Sequence, residues 1–241
     1  MTTRRLAVFD MDGTLLDSLP DLAECSRDLL ASYALPPISD AEVRGMIGEG
    51  VQVLVTRALA LAARKQAALT GGPVTTLPES AQAAERFMAF YTPRAARLSR
   101  LFPGTEDALH ALQAQGWSLA ICTNKPERAA RGILDTLGVA ALFAAVGGGD
   151  SFAARKPDPR HLLGTIVQAG GQVQRSVMIG DMPPDWLAAE GAGCDFVFAA
   201  WGYGVTPPPG HSGHSAPLAR SMAQVPVTLE TVLPPDRIRT G

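Results

Sequence analysis

Two carboxylates stand one residue apart in Asp10-Met11-Asp12-Gly13-Thr14, directly after the apolar run Leu6–Phe9. Carboxylates projecting together from the end of a buried strand can divide covalent work, one attacking as a nucleophile while the other moves protons. An Asx-type turn, in which short polar side chains bond their own backbone, is the plainer use of such residues. Three further segments also follow apolar runs. Thr123-Asn124 offers a hydroxyl and backbone N–H groups suited to phosphoryl oxygens, Lys156-Pro157 follows Gly147–Gly149, and Gly180-Asp181-Met182-Pro183-Pro184-Asp185 follows Val177–Ile179. Gathered at one rim, these segments would present three or four carboxylates, a lysine and a hydroxyl. Carboxylates crowded together raise one another's pKa. A hard divalent cation with oxygen ligands relieves that repulsion, and Mg²⁺ is the usual choice where a phosphate shares the site. None of His110, His161, His211 and His214 falls in the four segments, and Cys25, Cys122 and Cys194 lack zinc spacing, which disfavours a zinc hydrolase.

The elements that must position these residues are five short apolar runs: Leu6–Phe9, Leu119–Cys122, Leu142–Val146, Val177–Ile179 and Phe196–Ala200. Continuous runs of this length suit strands covered on both faces. Helical stripes separate the later ones: Glu106, Leu109 and Leu112; Ile133, Leu134 and Leu137; Leu162, Leu163, Ile166 and Val167. The alternation predicts an α/β fold, a parallel sheet with right-handed crossovers whose ligands bind beyond the carboxyl ends of the strands. Between the first two runs the pattern changes. Leu19, Leu22, Ser26, Leu29 and Tyr33 share a helical face, Asp40 is expected to cap a short helix, Val51, Leu54, Val55, Ala58 and Leu61 make another stripe, and a further helix is expected around Ser80–Tyr91. Residues 18–92 are therefore expected to form a helical insertion, with 1–17 and 93–241 as the catalytic core. Thr206–Pro217, rich in Pro, Gly, Ser and His, is expected to be an exposed loop.

At 241 residues the chain can bury a sizeable core. Lys and Arg total 21 against 23 Asp and Glu, for a net charge of −2, so no basic field exists to hold nucleic acid or an anionic membrane. The apolar runs fall far short of the ~20 residues that span a bilayer. Residues 1–9 lack the ~7–15-residue apolar stretch of a secretion signal, and three scattered cysteines argue against a disulfide framework. The expected location is the cytoplasm. Oligomeric state is not encoded in any pattern found.

As an ordered set, D-M-D-G-T at 10–14, T-N at 123–124, K-P at 156–157 and G-D-x-x-x-D at 180–185 resembles the haloacid dehalogenase superfamily, in the branch whose helical cap is inserted after the first motif. The resemblance implies a Rossmann-like three-layer core with that cap. D-S-L-P-D-L at 17–22, V-R-G-M-I-G-E-G at 43–50, F-P-G at 102–104, T-N-K-P at 123–126, G-G-D at 148–150, K-P-D-P at 156–159 and W-G-Y-G at 201–204 are similar to the bacterial members that hydrolyse 2-phosphoglycolate.

By that resemblance Asp10 is the nucleophile that becomes an aspartyl-phosphate, and Asp12 is the general acid and then the general base. Thr123, Lys156 and the Asn124 backbone hold phosphoryl oxygens. Mg²⁺ is held by Asp10, the backbone carbonyl of Asp12 and Asp181, with Asp185 as either a ligand or an orienter of Lys156 or metal water. Met182 departs from the small polar residue common in the family at that position. The cap is expected to open and close on hinges near Ser18 and Thr92. Arg44, beside the Gly45–Gly50 loop, is a fork-shaped cation for a substrate carboxylate, or else a surface helix arginine.

The implied reaction is release of phosphate from a small phosphomonoester, first 2-phosphoglycolate. Alternatives are an amino-sugar phosphate, pyrophosphate or a sugar-phosphate mutase on the same scaffold. Asp12 disfavours a dehalogenase, which has no leaving alkoxide to protonate. A phosphonate hydrolase would need a Schiff-base lysine, and the insertion holds only Lys65, late in a predicted helix. A non-enzymatic phosphoester binder is disfavoured because no catalytic group is missing.

Overall fold

Short apolar runs become interior strands when both of their faces are covered. In the computed structural model, which describes residues 4–73, 76–204 and 216–235, the strands are β1 (Leu6–Phe9), β2 (Leu16–Asp17), β3 (Arg100–Leu101), β4 (Ser118–Cys122), β5 (Ala145–Gly147), β6 (Ser176–Gly180), β7 (Asp195–Ala199) and β8 (Leu218–Ala219). Six of them form a parallel sheet in the order β5-β4-β1-β6-β7-β8, and β2 pairs with β3 in a two-stranded ribbon. The chain therefore builds outward from β1 in one direction and then in the other. The middle of the sheet is its switch point, where open α/β sheets bind ligands.

Alternate side chains of each strand enter opposite layers. Leu6, Val8, Ala120, Cys122 and Met178 pack with Leu162 and Ile166 of α7 (Pro159–Gln168) and with Ala188 and Ala189 of α8 (Pro183–Ala192). Helices α5 (Thr105–Ala114) and α9 (Val225–Val232) pack on each other, and α6 (Glu127–Thr136) packs on β5. Phe9 is fully buried, a burial worth about 1.5–3 kcal/mol for a side chain of this kind.

The chain divides into two compact units: Met1–Asp17 with Leu101–Gly241, and Ser18–Arg100. The second is helical, with α1 (Leu19–Ala31), α2 (Asp40–Arg44), α3 (Val51–Thr70) and α4 (Ser80–Tyr91). Its interior includes Leu29, Val55, Leu59 and the stacked Phe87–Tyr91 pair. This unit runs to Arg100 rather than 92. The wholly buried Asp21 carboxylate accepts the N–H groups of Leu98 and Ser99 and the Ser99 hydroxyl, which ties the segment after α4 back onto α1.

Other expectations are corrected locally. Ser39, not Asp40, is the N-cap of α2: its hydroxyl accepts the Glu42 N–H and the Glu42 carboxylate accepts the Ser39 N–H, leaving Asp40 as the first helical residue. The run 142–146 is a strand only from Ala145, because Ala140–Leu142 forms a 3₁₀ turn. The fifth run pairs from Asp195 to Ala199, while Ala200 donates to the Ala219 carbonyl. Most of the expected loop 206–217 lies outside the described residues. None of the three cysteines is in a disulfide and all are buried, and among the described residues no helix is long and apolar enough to cross a membrane.

Candidate active site

Register brings the motifs together. Phe9 is paired with Ile121 on one side and Ile179 on the other, so the residues that follow leave the sheet at one rim, with strands about 4.8 Å apart. Asp10 N–H still donates to the Ile179 carbonyl at 2.9 Å. Asp10, Thr123 and Asp181 then project beyond β1, β4 and β6, and all three are buried.

Lys156 reaches this rim with its ammonium saturated. Nζ lies 2.8 Å from Asp10 Oδ1, 2.7 Å from Asp185 Oδ1 and 2.6 Å from the Cys122 carbonyl. Burial would lower its pKa, but Asp10 and Asp185 hold it well above the ordinary lysine value. Its main chain is held as well: its N–H donates to His161 Nδ1, and its carbonyl accepts the Asn124 Nδ2 amide at 2.9 Å. Burial lowers the His161 pKa to about 4, with Lys156 acting in the same direction, so the imidazole is neutral and able to accept.

Asp10, Asp181 and Asp185 each bring a carboxylate oxygen within 4.8 Å of the others. Burial pushes Asp10 up to about 8 against the pull of Lys156, with Asp185 and Asp181 adding to the rise. Burial, then Asp185, pushes Asp181 up to about 7 despite hydrogen bonds from the Thr14 hydroxyl and the N–H groups of Tyr203 and Gly204. Lys156 bonds two of these three buried carboxylates, Asp10 and Asp185, and the donor set of the three is entirely oxygen. Such a set fits a hard divalent cation.

Close backbone approach makes the cluster possible. Gly13 has φ +88°, and a Cβ there would lie 2.4 Å from Asp181 Oδ2. Gly202 admits Asp181 similarly, since a Cβ would meet both the Asp181 Cβ and the Gly13 carbonyl at 2.4 Å. These contacts explain why a D-G and a W-G-Y-G segment flank the same acid.

The structure thus joins Asp10, Thr123, Asn124, Lys156, Asp181 and Asp185. Asp185 uses Oδ1 on Lys156 and Oδ2 on the Met182 N–H, so it orients the lysine and closes the first turn of α8. The Asp12 side chain stands apart from the three-carboxylate group. Its Oδ2 pairs with Lys125 Nζ at 3.0 Å, while its buried Oδ1 has no hydrogen-bond partner among the described residues. Arg44 is the exposed last residue of α2, in the helical unit.

Sequence reasoning assigned no role to Lys125, Thr14 or Tyr203. Lys125 was visible in T-N-K-P and Tyr203 in W-G-Y-G, but nothing local shows that one meets Asp12 and that the other holds Asp181 through its backbone. Tyr203 also donates its hydroxyl to Asp17 Oδ1 at 2.8 Å, and Trp201 Nε1 donates to the Thr14 carbonyl.

This rim and sheet order are those of a hydrolase core, and residues 7–199 match the family model described as haloacid dehalogenase-like hydrolase. The chain belongs to that family. It is similar to phosphoglycolate phosphatase of Agrobacterium fabrum, 41% identical over 208 residues that cover 84% of each chain. The phosphoglycolate phosphatase of Vibrio cholerae is 37% identical over 203 residues, 84% of this chain and 87% of that one. Among solved structures, a predicted phosphoglycolate phosphatase from Haemophilus somnus superposes with a TM-score of 0.82 at 32% identity, covering 93% of this chain and 97% of that one.

Proposed function

We propose that this chain is a Mg²⁺-dependent phosphatase that hydrolyses 2-phosphoglycolate to glycolate and phosphate through an aspartyl-phosphate on Asp10. The observation that carries the reading is the arrangement at one rim. A buried nucleophilic carboxylate is bonded to a buried lysine, a second carboxylate lies two residues on, and Asp181 and Asp185 complete an oxygen cluster. The names of the relatives supply the substrate and favour the phosphatase over the mutase.

An Asp10 carboxylate oxygen attacks phosphorus, and the bond from phosphorus to the ester oxygen breaks as Asp12 gives that oxygen its proton. Asp12 then takes a proton from water as the water oxygen attacks the same phosphorus, and the bond to Asp10 breaks to release phosphate. Thr123, Lys156 and the Asn124 N–H hold the phosphoryl oxygens while charge redistributes on them. Asp10, Asp181 and the Asp12 backbone carbonyl would hold Mg²⁺, with Asp185 orienting Lys156. The ion supplies positive charge to the phosphoryl oxygens and to the carboxylates themselves. Arg44 is the helical unit's candidate for the substrate carboxylate, and the cytoplasm is the proposed location.

Phosphate release from 2-phosphoglycolate with and without Mg²⁺ tests the reading. Asp10→Asn is expected to lower kcat by about 10³-fold or more, and turnover near that of the unaltered enzyme would refute the nucleophile. Arg44→Ala is expected to raise KM for 2-phosphoglycolate with kcat little changed, and an unchanged KM removes Arg44 from the site.

A further inference from the structure

The two lysines of the rim are engaged differently. Lys156 is bonded to two carboxylates and a carbonyl on the nucleophile's side. Lys125, whose side chain is 4% exposed, places its ammonium on the acid's side, 3.0 Å from Asp12 Oδ2. Its backbone N–H donates to Thr123 Oγ1 at 3.2 Å, so the hydroxyl that serves the phosphoryl group also fixes the start of this side chain. Asp12 keeps its other oxygen, Oδ1, buried and unpartnered among the described residues. That oxygen is the one left to exchange a proton with the leaving oxygen.

We infer that Lys125 is a specificity-determining residue, the core's own cation for an anionic group on the leaving alcohol, here the carboxylate of 2-phosphoglycolate. The inference rests on the phosphatase reading and adds to it the residue that recognises the departing half of the substrate. Distances carry it. The leaving oxygen must come within about 2.6–3.2 Å of an Asp12 oxygen to receive its proton. In a glycolate leaving group, two carbons separate that oxygen from the carboxylate oxygens, a span of about 3 Å from ordinary bond lengths. The carboxylate must therefore lie within about 6 Å of the Asp12 carboxyl group, and the Lys125 ammonium already lies inside that radius. A buried ammonium in that position rewards an anionic leaving group and leaves a neutral one unpaired with it, which is how a charged pocket discriminates.

The test compares kcat/KM for 2-phosphoglycolate and for ethyl phosphate, which has the same two-carbon reach without the carboxylate. The unaltered enzyme is expected to prefer 2-phosphoglycolate, and Lys125→Met to reduce that preference at least tenfold, with the loss concentrated in KM. Lys125→Arg, which keeps the charge, is expected to retain most of the preference. Lys125→Gln carries the same comparison if the Met variant does not fold. An equal fall for both esters would overturn the inference, because Lys125 would then serve only Asp12 or the phosphoryl group. An unchanged preference in the Met and Gln variants would overturn it as well. If the unaltered enzyme releases phosphate from neither ester, the phosphatase reading itself fails, and this inference with it.

Discussion

Asp21 in the helical unit and Asp181 in the core are both wholly buried aspartates, and both accept backbone N–H groups and a hydroxyl. They differ in what else is near. Asp21 is surrounded by neutral donors from Leu98 and Ser99 that satisfy both of its oxygens, so its burial serves as a tie between two segments. Asp181 shares its surroundings with Asp185 and Asp10, and its own donors do not offset the crowding. A buried acid that is fully satisfied holds the fold together. A buried acid that stays short of positive charge marks a place where something charged is meant to arrive.

Removing each acid separates the two cases. Asp181→Ala is expected to lower turnover of 2-phosphoglycolate by about 10²-fold or more and to abolish any rise in Tm on adding Mg²⁺. Retention of a normal Mg²⁺-dependent rise would show that the ion does not use this carboxylate. Asp21→Ala is expected to cost about 3 kcal/mol in denaturant unfolding, because two N–H groups and a hydroxyl lose their buried acceptor. Its kcat per folded molecule should stay within about twofold of the unaltered enzyme's. A large fall in kcat with full stability would mean that Asp21 acts in catalysis.

A smaller effect, and a sharper one, comes from pH. Asp10, near 8, and Asp181, near 7, both lie above the ordinary 3.8, so the folded protein holds their protons more tightly than the unfolded chain does. The stability this linkage contributes is fully present below the unfolded value of 3.8 and is lost progressively as pH rises from there through the folded values of about 7 and about 8. On the proposed reading, Mg²⁺ would offset the loss by pairing with the ionised carboxylates. Its stabilising shift in Tm, measured against a chelator, should therefore be several degrees larger at pH 8 than at pH 5. Equal shifts at the two pH values would contradict the raised pKa values of this cluster.

Much of the core was legible locally. Leu6–Phe9 and the runs around 118–122 and 176–180 can be little other than covered strands, and each is followed at once by its polar residue. A helix around Ser80–Tyr91 was legible, and the structure has it there. The failures have physical causes. Ser39 and Asp40 are both good capping residues, and only the reciprocal bond with Glu42 decides between them. The sequence pattern ends the helical unit near 92, because the tie from Asp21 to Ser99 spans 78 residues and leaves no trace in either segment. Strand β8 has two residues, too short for any periodicity to register.

The types and order of Asp10, Asp12, Thr123, Lys156 and Asp181, and the strand-end placement of all but Lys156, were legible in the sequence alone, because hydrophobic runs and the turns that end them are local properties of the chain. The pairing of cations with acids was decided only in three dimensions. Lys156 lies 146 residues from Asp10 and 29 from Asp185, yet it bonds to both, while Lys125 turns to Asp12. Those partnerships depend on parallel register and on backbone passing close at Gly13 and Gly202, and both arise from packing between segments that are remote along the chain.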